Sequence, residues 1–321
     1  MNIVRNRNIF YTVSAALFAG SIIALLSFGL KFGIDFTGGA IMEVEFAVKA
    51  GEGMAVPERA VLEEALAASG IDHSVIQPTG DTGVLLRFRD VDEATHQTIL
   101  HELRMRYVPA EVVEKRFDSI GPTIGSELRR RSMYAVVLVM VLIILYIAWA
   151  FRRVSKPVSS WKYGVVAIIA LVHDVVIPVG VFAILGKFAG VEVDALFVTA
   201  VLTILGFSVH DTIVVFDRIR ENLKGVRSDL VFEDIVEKSL QETIGRSINT
   251  SLSVLLSLAA VYFFGGVSVK YFSLAMMLGV VIGTYSSIFI ASPLVVTWQQ
   301  FMEKGGQRER KEKGVFYKKN K

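Results

Sequence analysis

The pair His210-Asp211 interrupts an otherwise uncharged run, with Leu205-Gly206-Phe207 before it and Ile213-Val214-Val215-Phe216 after it. A carboxyl placed deep in a bilayer carries a penalty of at least about 2.5 kcal/mol, so such groups face a bundle interior or a wet path. A small change in surroundings is then enough to make Asp211 take up or release a proton. Arg246 opens the run GRSINTSLSVLLSL, where Arg246, Thr250, Ser253 and Ser257 recur at helical spacing as a polar stripe. A cation is unfavourable at a helix N-terminus. Either the helix starts earlier, near Ser228, or Arg246 has an anionic partner, for which Asp211 is the natural choice. A second pair, His173-Asp174 in LVHDVVIPVG, echoes the SVHDTIVV of the first. The expected chemistry is proton transfer, with Asp211 and Arg246 as the coupling pair and His210, His173 and Asp174 as a secondary relay. Plainer readings compete: Asp211 bonded to Arg218 two turns on, Arg246 snorkelling at an interface, and Asp174 bonded to a loop donor.

The elements that must position these residues follow from composition. The chain of 321 residues is 53% hydrophobic and only 20% charged, with 26 Gly and a net charge of +3. Its charge-poor stretches are long enough to cross a hydrocarbon core of about 30 Å, which excludes an ordinary soluble enzyme. The absence of Cys excludes disulfides and thiolate chemistry, and five His in no ligand spacing argue against a metal centre. Membrane spans are expected over 9–30, 133–151, 165–185, 195–216, 248–264 and 271–298. The first is followed by Lys31 and Gly33 instead of a small-residue cleavage site, so it is expected to be retained.

Charge sets the expected orientation. Arg5 and Arg7, the loop with Arg152, Arg153, Lys156 and Lys162, and a tail with eight basic against three acidic residues after Trp298 read as cytoplasmic. Segments 1–8, 152–164, 217–247 and 299–321 are therefore expected inside, with 217–247 amphipathic, and 31–132, 186–194 and 265–270 outside. The segment from Lys31 to Glu127 has nine basic and seventeen acidic residues, which suits an extracytoplasmic domain. Arg129, Arg130 and Arg131 run against this orientation but are outnumbered.

Within 31–132, Met42–Val48 alternates as a strand and Pro57–Ser69 reads as a helix ended by Gly70. Ser74–Gln77 and Val84–Phe88 read as short strands about a turn at Pro78, Gly80 and Gly83. Asp92–Tyr107 reads as a helix and Glu111–Phe117 as a last strand. The order β-α-β-β-α-β is ferredoxin-like, a fold that does not by itself imply a chemistry. In the last span, Ala275, Gly279, Gly283, Ser287 and Ala291 place a small residue at every fourth position, a face for close helix packing within the chain or against a partner. Pro178 and Pro293 are expected to kink their helices.

Three stretches carry a resemblance: Gly33-Ile34-Asp35-Phe36-Thr37-Gly38-Gly39 after the first span, Asp211 to Asn222 (DTIVVFDRIREN) at the end of the fourth, and Tyr262-Phe263-Phe264-Gly265-Gly266 after the fifth. Together they closely resemble the SecD/SecF family of bacterial protein export, within the resistance-nodulation-division superfamily, over nearly the whole chain. The DTIVVFDRIREN run is specific for the smaller subunit. The resemblance implies a multi-pass protein of the bacterial inner membrane that couples proton entry to late translocation steps. It implies SecD and the SecYEG channel as partners, with YajC and the membrane insertase as further ones, and an exported polypeptide as substrate. It also implies roles in proton passage for Asp211 and Arg246, and it departs from many relatives in carrying His210 where Asn is expected. Gly33, Asp35, Gly38 and Gly39 are expected to form a hinge for the outer domain. No cofactor, nucleic acid or covalent catalysis is expected, since no nucleophile–base pair or phosphate loop is present. Two competing classes are a proton-coupled small-molecule or lipid exporter of the same superfamily and a membrane scaffold without ion passage.

Overall fold

The computed structural model describes residues 2–47, 58–80, 82–107, 111–150, 160–225 and 231–302. The basic loop at 152–156 and the tail beyond 302 lie outside these residues. The chain divides into one unit of residues 1–31 and 135–321 and a second of residues 32–134.

The chain begins with α1 (Arg7–Phe28), which carries no charge after Arg7 and stops where Gly29 turns to positive φ and donates its N–H to Leu25 O at 2.9 Å. The second unit follows. It comprises α2 (Ile34–Thr37), β1 (Gly39–Ala47), α3 (Arg59–Ala68), β2 (Val75–Thr79), β3 (Gly83–Phe88), α4 (Glu93–Arg106) and β4 (Glu111–Ile120). The four strands pair antiparallel in the order β2-β3-β1-β4, the ferredoxin-like arrangement expected from the sequence. Alternation along β1 explains the core: Ala40, Met42, Val44 and Phe46 are buried with Leu62, Leu66, Leu86, Ile99 and Leu103, while Glu43 and Glu45 take the other face. Each large apolar side chain buried there contributes about 1.5–3 kcal/mol. Asp92 caps α4, accepting the Thr95 N–H at 2.9 Å. Pro78, expected in a turn, lies within the edge strand β2.

Five further long helices complete the chain: α5 (Pro122–Ala150), α6 (Ser160–Ala189), α7 (Ala195–Gly225), α8 (Phe232–Phe264) and α9 (Val267–Ser286). A π-helical turn, Ser287–Ala291, follows α9 and runs on as helix to 302. With α1 they make, among the described residues, six helices long and apolar enough to span a membrane. α6, α7 and the helix through α9 are the most deeply packed of the six, whereas α5 and α8 leave most of their length exposed. Of the stretch 217–247 expected as a separate amphipathic connection, 217–225 continues α7, 226–230 lie outside the described residues, and 232–247 are continuous with the fifth span: α8 is one helix of 33 residues, about 50 Å long. Arg246 therefore sits mid-helix, and the conflict with the helix dipole disappears. Pro178 lies inside α6. Pro293, which has no N–H to offer, comes two residues after the end of the π turn, which widens the backbone ahead of it.

Candidate functional site

Small residues let the inner helices close on one another. All five members of the stripe, Ala275, Gly279, Gly283, Ser287 and Ala291, are buried inside this chain. A Cβ on Gly279 would collide with the Ile204 side chain, and one on Gly283 would lie 3.2 Å from Ser208 Cβ. α9 thus lies directly on α7.

That approach assembles two carboxylate sites. Asp211 on α7 is 3% exposed, and Thr284 of α9 and Ser247 of α8 lie against its carboxylate. Its Oδ2 is buried with no hydrogen-bond partner, and so is Ser247 Oγ. Ser251 Oγ and Thr284 Oγ1 share a hydrogen bond of 2.5 Å, tying α8 to α9 beside the site. Asp174 on α6 is 0% exposed. His173 Nδ1 lies 2.9 Å from its Oδ1. Its Oδ2 is met by Ser286 Oγ at 2.5 Å and by Ser208 Oγ. Asp174 is therefore held at the centre of the bundle and, among the described residues, bonds no loop donor.

The structure separates residues that the sequence grouped together. Arg246 lies on the exposed side of α8 and forms no ion pair with Asp211 among the described residues. Ser247 is the residue that faces Asp211, and Arg246, one position earlier, is turned about 100° around the helix. Arg246 instead lines an open cleft with Asp217, Glu221 and Glu242. Arg218 is engaged by Glu242 at 2.6 Å and Glu221 at 2.5 Å, not by Asp211. Thr250, Ser253 and Ser257 are exposed too, so the buried polar line of α8 is Ser239, Thr243, Ser247 and Ser251. His210 is exposed, so the two His-Asp pairs do not meet through their histidines. The sequence reading missed Ser208, Ser247, Thr284 and Ser286. The four-residue spacing from Ser239 to Ser251 was the available signal.

Gly38 and Gly39, two of the four residues expected to form a hinge, are closely packed within the α/β unit. Gly38 and Gly39 have φ of +76° and +124°; a Cβ on Gly38 would lie 2.8 Å from Pro122 Cα, and one on Gly39 2.9 Å from Phe88 O. A Cβ on Gly125 would lie 2.8 Å from Gly38 N. The two glycines clamp α2, β1 and the start of α5 together. Gly33 has φ −76°, open to any residue, and Asp35 lies in the first turn of α2. Swivelling about Gly38 and Gly39 would have to break this packing.

Two protein families match the sequence. Residues 101–301 match the C-terminal part of the protein export membrane proteins SecD/SecF, and residues 23–50 match the SecD/SecF GG motif. The chain is similar to the protein translocase subunit SecF of Thermobaculum terrenum, 46% identical over 302 residues that cover 93% of this chain and 94% of the relative. It is similar to that of Anaerolinea thermophila at 40% identity over 300 residues, covering 93% and 94%. Among solved structures, SecDF of Thermus thermophilus, described as a translocon-associated membrane protein, superposes with a TM-score of 0.75 at 32% identity over 94% of this chain. SecDF in a super-membrane-facing form gives 0.67 at 31% over 96%. The chain spans 39% and 40% of those two solved chains.

Proposed function

This chain belongs to the SecD/SecF family of protein export membrane proteins, and on that premise we propose that it is the SecF-type accessory subunit of Sec protein export, working with SecD to couple proton entry to late steps of translocation. The observation that carries the coupling step is Asp211: a carboxylate 3% exposed, at the junction of three helices, with one oxygen free of hydrogen bonds. A buried acid with unsaturated bonding is poised to accept a proton, and each charge crossing the membrane potential is worth about 2.3 kcal/mol per 100 mV.

Neutralising Asp211 changes what α8 and α9 present to α7, and so biases how the three helices pack. Arg246 supplies a positive charge on the exposed side of α8, where a partner helix would meet it. In this reading both chain ends lie in the cytoplasm of a bacterium, with the α/β unit outside the inner membrane to engage the exported polypeptide. SecYEG is the channel served, and YajC and the membrane insertase are further partners. Positive charge at Arg5 and Arg7 supports this orientation.

The test is export of a pre-protein in cells depleted of the native subunit, comparing wild type with Asp211→Asn at equal membrane abundance and with SecD co-purifying. Loss of proton-driven export in an assembled complex is the expected outcome. Wild-type export would overturn the role of Asp211.

A further inference from the structure

The geometry points to Asp174 as a second proton-holding carboxyl, in series with Asp211 through the same two helices, with Ser286 as the hydroxyl that adapts to its protonation state. This inference rests on the proton-coupling reading of Asp211. α7 contributes Asp211 itself and, three residues earlier, Ser208, which bonds Asp174. α9 contributes Thr284 against Asp211 and, two residues later, Ser286, which bonds Asp174. Any displacement of α7 against α9 that alters one carboxylate's partners therefore alters the other's.

Ser286 is what allows both forms. Its hydroxyl has one proton and two acceptors in reach, Asp174 Oδ2 at 2.5 Å and Gly283 O at 3.1 Å. With Asp174 ionised, Ser286 donates to Oδ2. When a proton from the aqueous phase arrives on Oδ2, that O–H donates to Ser286 Oγ, and the serine proton turns to Gly283 O. No heavy atom moves, and the proton leaves by the reverse turn. On the other side of the carboxylate His173 Nδ1 lies 2.9 Å from Oδ1, and His173 Nε2 is buried with no hydrogen-bond partner. His173 stacks at 6.3 Å on Phe18 of α1, so α1 brings an apolar ring to this side. Among the described residues the titratable group in contact with Asp174 is His173; α7 carries Asp211 three residues beyond Ser208, with His210 on its exposed side, and α9 adds hydroxyls. The π turn that begins immediately after Ser286 is a feature often found at working sites.

The experiment is infrared difference spectroscopy of the complex in membrane vesicles through a pH titration, comparing wild type with Asp174→Asn, Ser286→Ala and Asp211→Asn. Asparagine keeps the size and acceptor oxygen of Asp174, so co-purification with the partner should persist. The expected result is a protonated-carboxyl band that Asp174→Asn removes and Ser286→Ala shifts to a different pH, together with lost proton-driven export in Asp174→Asn. A titration of Asp174→Asn superimposable on wild type would overturn the inference, as would full export from an assembled Asp174→Asn complex. The band is read on the protein itself, so an Asp211→Asn complex that exports normally would overturn the coupling reading while leaving the Asp174 band to be judged separately.

Discussion

Gly283 of α9 is pressed onto Ser208 of α7 so closely that a Cβ on the glycine would stand 3.2 Å from the serine Cβ. This approach determines which polar groups meet. Ser208 and Ser286 reach the same oxygen of Asp174 from two different helices, which requires those helices to be nearly in backbone contact. The stripe of small residues thus acts on the candidate site through distance and contributes no chemistry of its own.

Gly279→Leu and Gly283→Leu are expected to push α9 off α7. At Gly279 even a methyl would collide with Ile204, and overpacking of this kind costs about 1–3 kcal/mol. Thermal unfolding in detergent should show the loss, with Gly283→Ala milder than either. Unchanged melting of the leucine variants would refute the packing.

The two polar lines of α8 should behave differently. Ser251→Ala removes the partner of Thr284 and should lower stability by about 0.5–1.5 kcal/mol. Ser253→Ala, on an exposed position whose hydroxyl bonds Asn249 O of its own helix, should be within about 0.5 kcal/mol of wild type. Equal effects would mean that the buried line is misassigned.

Much of this arrangement was legible in the sequence because it depends on strong periodic signals. Uncharged runs mark the spans, alternation marks β1, and Gly70 after Ser69 marks the end of α3. Asp211 stood out because a carboxylate in an apolar run has few structural explanations. The partners of the two acids were not legible, since a serine in a membrane helix is common and its direction depends on a rotation of about 100° per residue. Arg246 and Ser247 illustrate the limit: adjacent in sequence, they face different surroundings, and only the packing of α8 on α7 and α9 decides which one meets Asp211. The close packing at Gly38 and Gly39 was not legible for a related reason. Glycine permits freedom, but here its missing side chain admits Pro122 and Gly125.

Gly38→Ala and Gly39→Ala should each destabilise the α/β unit by about 1–3 kcal/mol, because positive φ and close backbone contact act together. Gly33→Ala should be tolerated at its ordinary φ. Proteolysis of the full chain in membranes would compare the three, and a sensitive Gly33→Ala beside a resistant Gly39→Ala would contradict the packed joint.

Acid should loosen the same unit. Bonds from Lys115 and Thr82 hold the Glu45 carboxyl below its ordinary pKa, the Thr95 hydroxyl and N–H do so for Asp92, and Gln97 and His96 do so for Glu93. A depressed folded-state pKa stabilises at pH above the unfolded value and is lost as pH falls through the folded one. Hydrogen-exchange protection at α4 and β1, taken relative to the intrinsic rate at each pH, should therefore be high at neutral pH and fall below about pH 4. Asp92→Asn should reduce the acid sensitivity of α4; no change with pH in either protein would count against these bonds.

Arg246 separates a structural role from a working one. Its side chain is exposed and not paired with Asp211, so Arg246→Gln should leave thermal stability within about 0.5 kcal/mol of wild type. If its charge serves the coupling step, the same variant should still lose proton-driven export. Arg246→Lys then reports the geometry required: a point charge is enough if Lys restores export, whereas a planar two-pronged contact to a carboxylate is needed if it does not. Normal export from Arg246→Gln would remove Arg246 from the mechanism and leave the proton-carrying role to the buried carboxylates alone.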